Sequence, residues 1–303
     1  MGPGVLPVVN VAAVPQRSPF RYPGGKTWLV PCVRRWLSRL HPRPVELVEP
    51  FAGGAIVSLT AVFEDWVERA VVVERDEDVA AVWLTILDPE GARWLAERIL
   101  AFELTAESVR AALADPAENL PLHERAFRTL LRNRVQRGGI LAPGAGLLRQ
   151  GENGRGLASR WYPQTLARRI LEIAARRDRI GFIAGDGVAE IRARADRPDV
   201  AFYLDPPYAG AGRRLYRYAE VDHRELFALA CRLRGPFLMS YEDAPEIRAL
   251  AASHGLCART APMKNTHHAR KFELLIAREM SWLEEGPAPA ERGAGSAKKE
   301  RGL

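Results

Sequence analysis

The sequence predicts an α/β protein built on a mostly parallel sheet with helices on both faces. Three observations predict it: short apolar runs recur along the chain, helical patterns separate them, and several runs end in Gly, Pro or acidic turns. The first run, Val45 to Glu49, passes through a Gly-Gly turn into a helical pattern from Ala55 to Asp65. A second, Ala70 to Glu74, precedes an apolar-periodic stretch from Val79 to Leu87. Later strands are expected at Ile180–Ala184, Val200–Leu204, Pro236–Ser240 and Phe272–Ala277. Asp222 and Glu225 have capping-box spacing and open a helix reaching about Leu233. Ahead of the first strand, Thr27 to Leu37 is amphipathic.

The alternation fails between Asp88 and Asp178. Helical segments are expected there at Ala92–Phe102, Ala106–Ala114 and Glu124–Arg137, followed by a Gly-rich stretch without clear period. Its length marks an insertion between two halves of one sheet, with a function of its own. The expected organisation is a flexible arm at 1–17, a catalytic part at 18–87, the insertion at 88–178, a second catalytic part at 179–283 and a disordered tail at 284–303.

Composition narrows the function classes. No run is long enough to cross a bilayer, and the first residues lack the basic segment of a secretory signal, so a cytoplasmic protein is expected. Cys32, Cys231 and Cys257 are odd in number and widely spaced, which argues against a disulfide framework and a cysteine-based metal site. No metal is expected at His267-His268 either, because neighbours in a strand point to opposite faces. The net charge is +7, and residues 123–180 hold thirteen Arg against four acids. That segment carries +9 and the remainder −2, the footprint of a polyanion partner. Arg168, Arg169, Arg176, Arg177 and Arg179 fit a solvated helix face equally well.

The most informative motif is Asp205-Pro206-Pro207-Tyr208, directly after a buried-type strand. Ligands of open α/β sheets bind at such carboxyl ends, and two prolines make a stiff turn there. Glu49-Pro50-Phe51-Ala52-Gly53-Gly54 closes the first strand, but a third glycine is missing for a dinucleotide fingerprint. Glu74 ends the next strand, where an acid is placed to bind ribose hydroxyls. Phe20-Arg21-Tyr22-Pro23-Gly24-Gly25-Lys26 precedes the amphipathic stretch and departs from the phosphate-loop pattern.

Together these patches resemble the Dam-type family of DNA adenine-N6 methyltransferases, which use S-adenosylmethionine. FRYPGGK, VEPFAGGAIVSL, VVVERDEDVAAVW, IAGDG and YLDPPY are similar to the family's motifs, in the expected order. The resemblance covers residues 18–85 and 180–280. It implies a Rossmann-like, seven-stranded methyltransferase sheet with an inserted, mainly helical target-recognition domain. S-adenosylmethionine is then the cofactor and S-adenosylhomocysteine the product. Tyr22, Lys26, Phe51, Gly53, Glu74, Asp186 and Asp205 are implied to bind it. Asp205 and the Pro206 carbonyl would accept the two N–H bonds of the target amine, and Tyr208 would stack on a base taken out of the duplex.

Leu131-Arg132-Asn133-Arg134 is similar to an Asn-Arg segment of the family, but Val135 to Gly139 replace its aromatic and Asn positions. GATC specificity is therefore not carried over. Arg132, Arg134 and Arg137 are expected to meet phosphate, and Asn133 either to read a base edge or to organise the loop. Double-stranded DNA is the implied partner of a monomer, with a cognate restriction nuclease as a further partner class. The competing readings are methylation of cytosine-N4 in DNA or of adenine in RNA, a nicotinamide-dependent oxidoreductase, and a DNA-binding module without catalysis.

Overall fold

The computed structural model describes residues 11–21, 25–116, 119–142, 145–149, 151, 154–207, 220–264 and 270–283. Seven strands form one sheet: β1 (Glu46–Glu49), β2 (Arg69–Glu74), β3 (Ile180–Ala184), β4 (Val200–Leu204), β5 (Phe237–Glu242), β6 (Cys257–Lys264) and β7 (Arg270–Ala277). Their order is β3-β2-β1-β4-β5-β7-β6. All neighbours pair in parallel except β7, which runs antiparallel to β5 and β6. The order reverses between β1 and β4, so the carboxyl ends of those two strands flank the crevice where such sheets take ligands.

Alternation along the strands feeds two cores. Leu47, Ala70, Val72, Ala201, Tyr203, Leu238 and Leu275 face α1 (Val30–Ser38), α2 (Ile56–Phe63) and α3 (Glu77–Leu87). Val48, Val71, Val73, Phe202, Leu204, Met239 and Ile276 face the side that carries α8 (Gly187–Ala193), α9 (His223–Arg232) and α10 (Pro245–Ser253). Acidic caps set several helix starts. Asp76 accepts from the Asp78 and Val79 amides at α3, and Asp88 accepts from the Gly91 amide at α4 (Pro89–Ala101). Asp222 accepts from the Glu225 amide at α9, as the spacing predicts.

The expected insertion holds α4, α5 (Ala106–Ala112), α6 (Leu122–Val135) and α7 (Pro163–Ala174). Among the described residues it has no core of its own. Leu95, Ile99, Phe127, Leu130, Leu166 and Ile170 join the cluster that contains Trp83 and Ile86 of α3. The insertion therefore thickens one helical layer of the sheet. Among the described residues, no helix is long and apolar enough to cross a membrane.

The edge strand β6 has no counterpart in the sequence reading. Pro262 and two basic residues interrupt its pattern, and an edge position tolerates both.

Candidate active site

Val200 to Leu204 are fully buried, and β4 delivers Asp205 to the crevice with its side chain partly exposed. Both carboxylate oxygens are held. Oδ1 accepts from Ser240 Oγ at 2.8 Å, and Oδ2 lies 3.0 Å from Lys26 Nζ. Lys26 is buried at 6% exposure and also meets Glu273 at 3.4 Å. Tyr203 Oη and Ser240 Oγ are 2.8 Å apart. Because Ser240 donates its one proton to Asp205, the Tyr203 hydroxyl is the donor in that pair. Burial pushes the Tyr203 hydroxyl well above its ordinary range, with the Asp205 charge adding to the effect, so it remains a donor.

Glu49, at the end of β1, accepts from the Ser58 amide at 2.8 Å in the first turn of α2. Burial raises its carboxyl to about 8, opposed by the hydrogen bonds from Ser58 and reinforced by the charge of Asp205. A titratable group near neutrality thus sits beside Asp205.

Glu74 organises the neighbouring turns. Its carboxylate accepts from the amides of Gly53 at 3.0 Å and of Arg75 and Asp76 at 2.8 Å each. Trp83 Nε1 donates to the Gly53 carbonyl at 2.9 Å. Gly53 has φ 47°, where glycine carries no Cβ penalty, and Ala55 adopts φ 48° at the start of α2. The strain at Ala55, on the order of 1–2 kcal/mol, lies within the turn that faces the crevice. Three amides occupy three of the roughly four lone-pair sites of the Glu74 carboxylate, leaving room for a hydroxyl. Burial raises Glu74 to about 7.

Asp186 is exposed and caps α8 by accepting from the Val188 amide at 2.8 Å. Behind it the chain passes close to the first-strand turn: a Cβ on Gly187 would stand 2.1 Å from the Pro50 carbonyl oxygen. Phe51 packs on the second core. Glu49, Gly53, Glu74, Asp186 and Asp205 therefore lie at or just beyond the carboxyl ends of the parallel strands, and Lys26 reaches Asp205 from the short helical turn before α1.

The inserted segment corrects the nucleic-acid expectations. Asn133 is fully buried; it accepts from the Arg21 amide at 2.8 Å and donates to the carbonyls of Arg21 at 3.1 Å and Gly139 at 2.8 Å. Arg134, buried at 4% exposure, donates to the Pro19 carbonyl at 2.6 Å. Arg132 reaches Asp78 and the Leu141 carbonyl. These three side chains brace the scaffold instead of presenting themselves to phosphate or bases. Arg137 is exposed.

The same holds for much of the segment's +9. Arg125 pairs with Asp78, Arg169 donates to the Ser18 carbonyl, Arg176 lies over the Phe63 ring, and Arg179 reaches Asp65, Val67 and Glu68. Guanidinium groups serve here as multiple donors that tie carbonyls together. Arg137, Arg149, Arg155, Arg168 and Arg177 are exposed, with Arg155 over the ring of exposed Tyr162.

Tyr22, Tyr208 and the pair His267-His268 lie outside the described residues. The sequence reading missed Ser240, Glu273 and Glu49 as parts of the site. An acid inside the apolar run FELLIA, and another closing the run that leads into Pro50, are the signals that mark the two glutamates.

No family model and no curated protein matches the chain. Solved structures similar to it include a SAM-dependent methyltransferase from Agrobacterium tumefaciens, 8% identical with a TM-score of 0.39. That match covers 83% of this chain and 61% of the other, so the chain spans less than two thirds of that protein. An rRNA methyltransferase from Streptomyces viridochromogenes matches at 15% identity and a TM-score of 0.38, covering 95% and 91% of the two chains. Precorrin-6y C5,15-methyltransferase from Geobacter metallireducens matches at 9% identity and a TM-score of 0.35, covering 82% and 87%. These likenesses assign neither a substrate nor a residue role.

Proposed function

We propose that the chain is an S-adenosylmethionine-dependent methyltransferase acting on the N6 amine of a flipped-out adenine in DNA. The observation that carries the reading is Asp205: a carboxylate at the switch-point end of β4, held through both oxygens and followed by a buried proline. The exocyclic amine of adenine delocalises its lone pair into the ring and is a poor nucleophile. Asp205 and the Pro206 carbonyl, as acceptors for its two N–H bonds, favour a pyramidal nitrogen with the lone pair free to attack.

The cofactor supplies an electrophilic methyl group on a sulfonium with a good leaving group. The residues present fit its binding. Glu74 offers a remaining acceptor site for a ribose hydroxyl, and Gly53 lets the backbone approach closely. Asp186 caps a helix at the rim, and Phe51 provides an apolar wall. Lys26 holds Asp205, which gives that residue of the cofactor motif a part in orienting the acceptor.

DNA affinity is assigned to three of the exposed arginines of the insertion, Arg137, Arg149 and Arg155, with Tyr162 as an aromatic surface among them. Incubation with radiolabelled S-adenosylmethionine and separate pools of DNA and RNA, followed by digestion to nucleosides, tests the reading. Label in N6-methyldeoxyadenosine supports it. Label in N4-methyldeoxycytidine or in ribonucleosides moves the substrate, and no label in any base overturns it.

A further inference from the structure

Two buried polar side chains beside Asp205 have no part in the chemistry above: Ser240 on β5 and Glu273 on β7, at 0% and 3% exposure. The antiparallel register sets Ser240 opposite Leu275 and Glu242 opposite Glu273. With a side-chain period of two, Ser240 and Glu273 share one face of the sheet, the face that Tyr203 and Leu275 also line. Asp205 follows Tyr203 by two positions, and Lys26 approaches from the turn before α1.

We propose that Ser240 and Glu273 are positioning residues that act through Asp205, Ser240 by donating to Oδ1 and Glu273 by anchoring the Lys26 ammonium that holds Oδ2. The inference rests on the reading of Asp205 as the acceptor for the target amine. A carboxylate free to rotate presents its lone pairs in many directions. One gripped by a hydroxyl at 2.8 Å and an ammonium at 3.0 Å presents the remaining ones in a fixed direction. Ser240 is itself held by the Tyr203 hydroxyl, and Lys26 by Glu273 at 3.4 Å, so each support has a second support. A buried lysine between a buried glutamate and a half-buried aspartate contributes little net stability compared with apolar replacements, which is consistent with retention for orientation.

Among the described residues, the charged and titratable groups around Asp205 include Lys26, Glu49 from β1, Tyr203 from β4, Tyr241 from β5 and Glu273 from β7. Two substitutions loosen the carboxylate from different sides. Ser240→Ala removes the donor to Oδ1 and leaves Lys26 on Oδ2. Glu273→Gln removes a charged anchor of Lys26 and leaves the Ser240 hydroxyl in place.

The test uses the full chain, unmethylated genomic DNA and radiolabelled S-adenosylmethionine, with kcat and the KM for DNA measured separately. Both variants should lose kcat by about 10- to 100-fold. The KM for DNA, and the Kd for S-adenosylmethionine read by calorimetry, should each change less than about threefold. Wild-type kcat in both variants, or a loss that falls on KM or Kd with kcat unchanged, overturns the positioning role. Should Ser240→Ala fail to fold, as a urea midpoint reveals, Glu273→Gln decides by itself, and an unchanged kcat refutes the proposal. A wild type that methylates no base overturns the parent reading. Transfer that survives in the wild type, fails in Asp205→Asn and is unaffected in the two variants removes the positioning role alone.

Discussion

Replacing Asn133 by Ala separates a scaffold role from a base-reading role. In the structure this amide makes three hydrogen bonds from a fully buried position, two to the backbone of Arg21 and one to the Gly139 carbonyl. Each bond contributes roughly 0.5–1.5 kcal/mol net, and a buried carbonyl left without its donor costs about 1–3 kcal/mol. Gly139 is buried and pressed against the segment before Lys26: a Cβ there would lie 2.2 Å from the Arg21 carbonyl oxygen. The expected loss is therefore about 3 kcal/mol, a large share of the roughly 5–15 kcal/mol that stabilises a typical protein. With an m-value near 3 kcal/mol/M, the urea midpoint should fall by about 1 M. Circular dichroism during urea titration measures the midpoint, and fluorescence anisotropy on a DNA duplex measures the salt slope of binding in the same preparation. A midpoint within 0.2 M of wild type (about 0.6 kcal/mol at that m-value), together with lost DNA selectivity, would refute the scaffold assignment.

Four further outcomes are expected. Asp205→Ala should abolish methyl transfer with little change in the urea midpoint, since the residue lies at the crevice rim; near-normal turnover would reduce the motif to a turn. Glu74→Gln should weaken S-adenosylmethionine binding by about 1.5–3 kcal/mol and remove its pH dependence. In the wild type, affinity measured by calorimetry should rise through about pH 7, where the Glu74 carboxyl raised by burial ionises and becomes a full acceptor. Glu49 affects stability with a definite sign. Its carboxyl is raised in the fold to about 8, so its favourable contribution is full below the ordinary carboxylate range and disappears as pH rises through 8. Glu49→Gln should flatten the decline of the urea midpoint between about pH 5 and 8, and an unchanged decline would place the loss elsewhere. Finally, Arg137→Gln with Arg155→Gln should flatten log K against log[salt] by about 0.9 for each phosphate that is no longer neutralised. A slope equal to wild type would remove Arg137 and Arg155 from the DNA surface.

The strand–helix alternation was readable because burial on both faces turns strands into near-continuous apolar runs, and β3 and β4 match their predicted spans residue for residue. The positions of Asp205, Glu74 and Asp186 were readable too, since each ends or follows such a run and the parallel topology carries those ends to one edge. Sequence alone settled neither the partners of Lys26 nor the fate of the arginines. Lys26 meets Asp205 and Glu273, residues about 180 and 250 positions away, because β4 and β7 both flank β5. A count of +9 suggested a polyanion surface, but Arg134, Arg169 and Asn133 turn inward to hold the segment around Pro19 and Arg21. Periodicity records which residues leave water. The direction in which a long guanidinium side chain turns depends on which backbone carbonyls the fold brings within its reach.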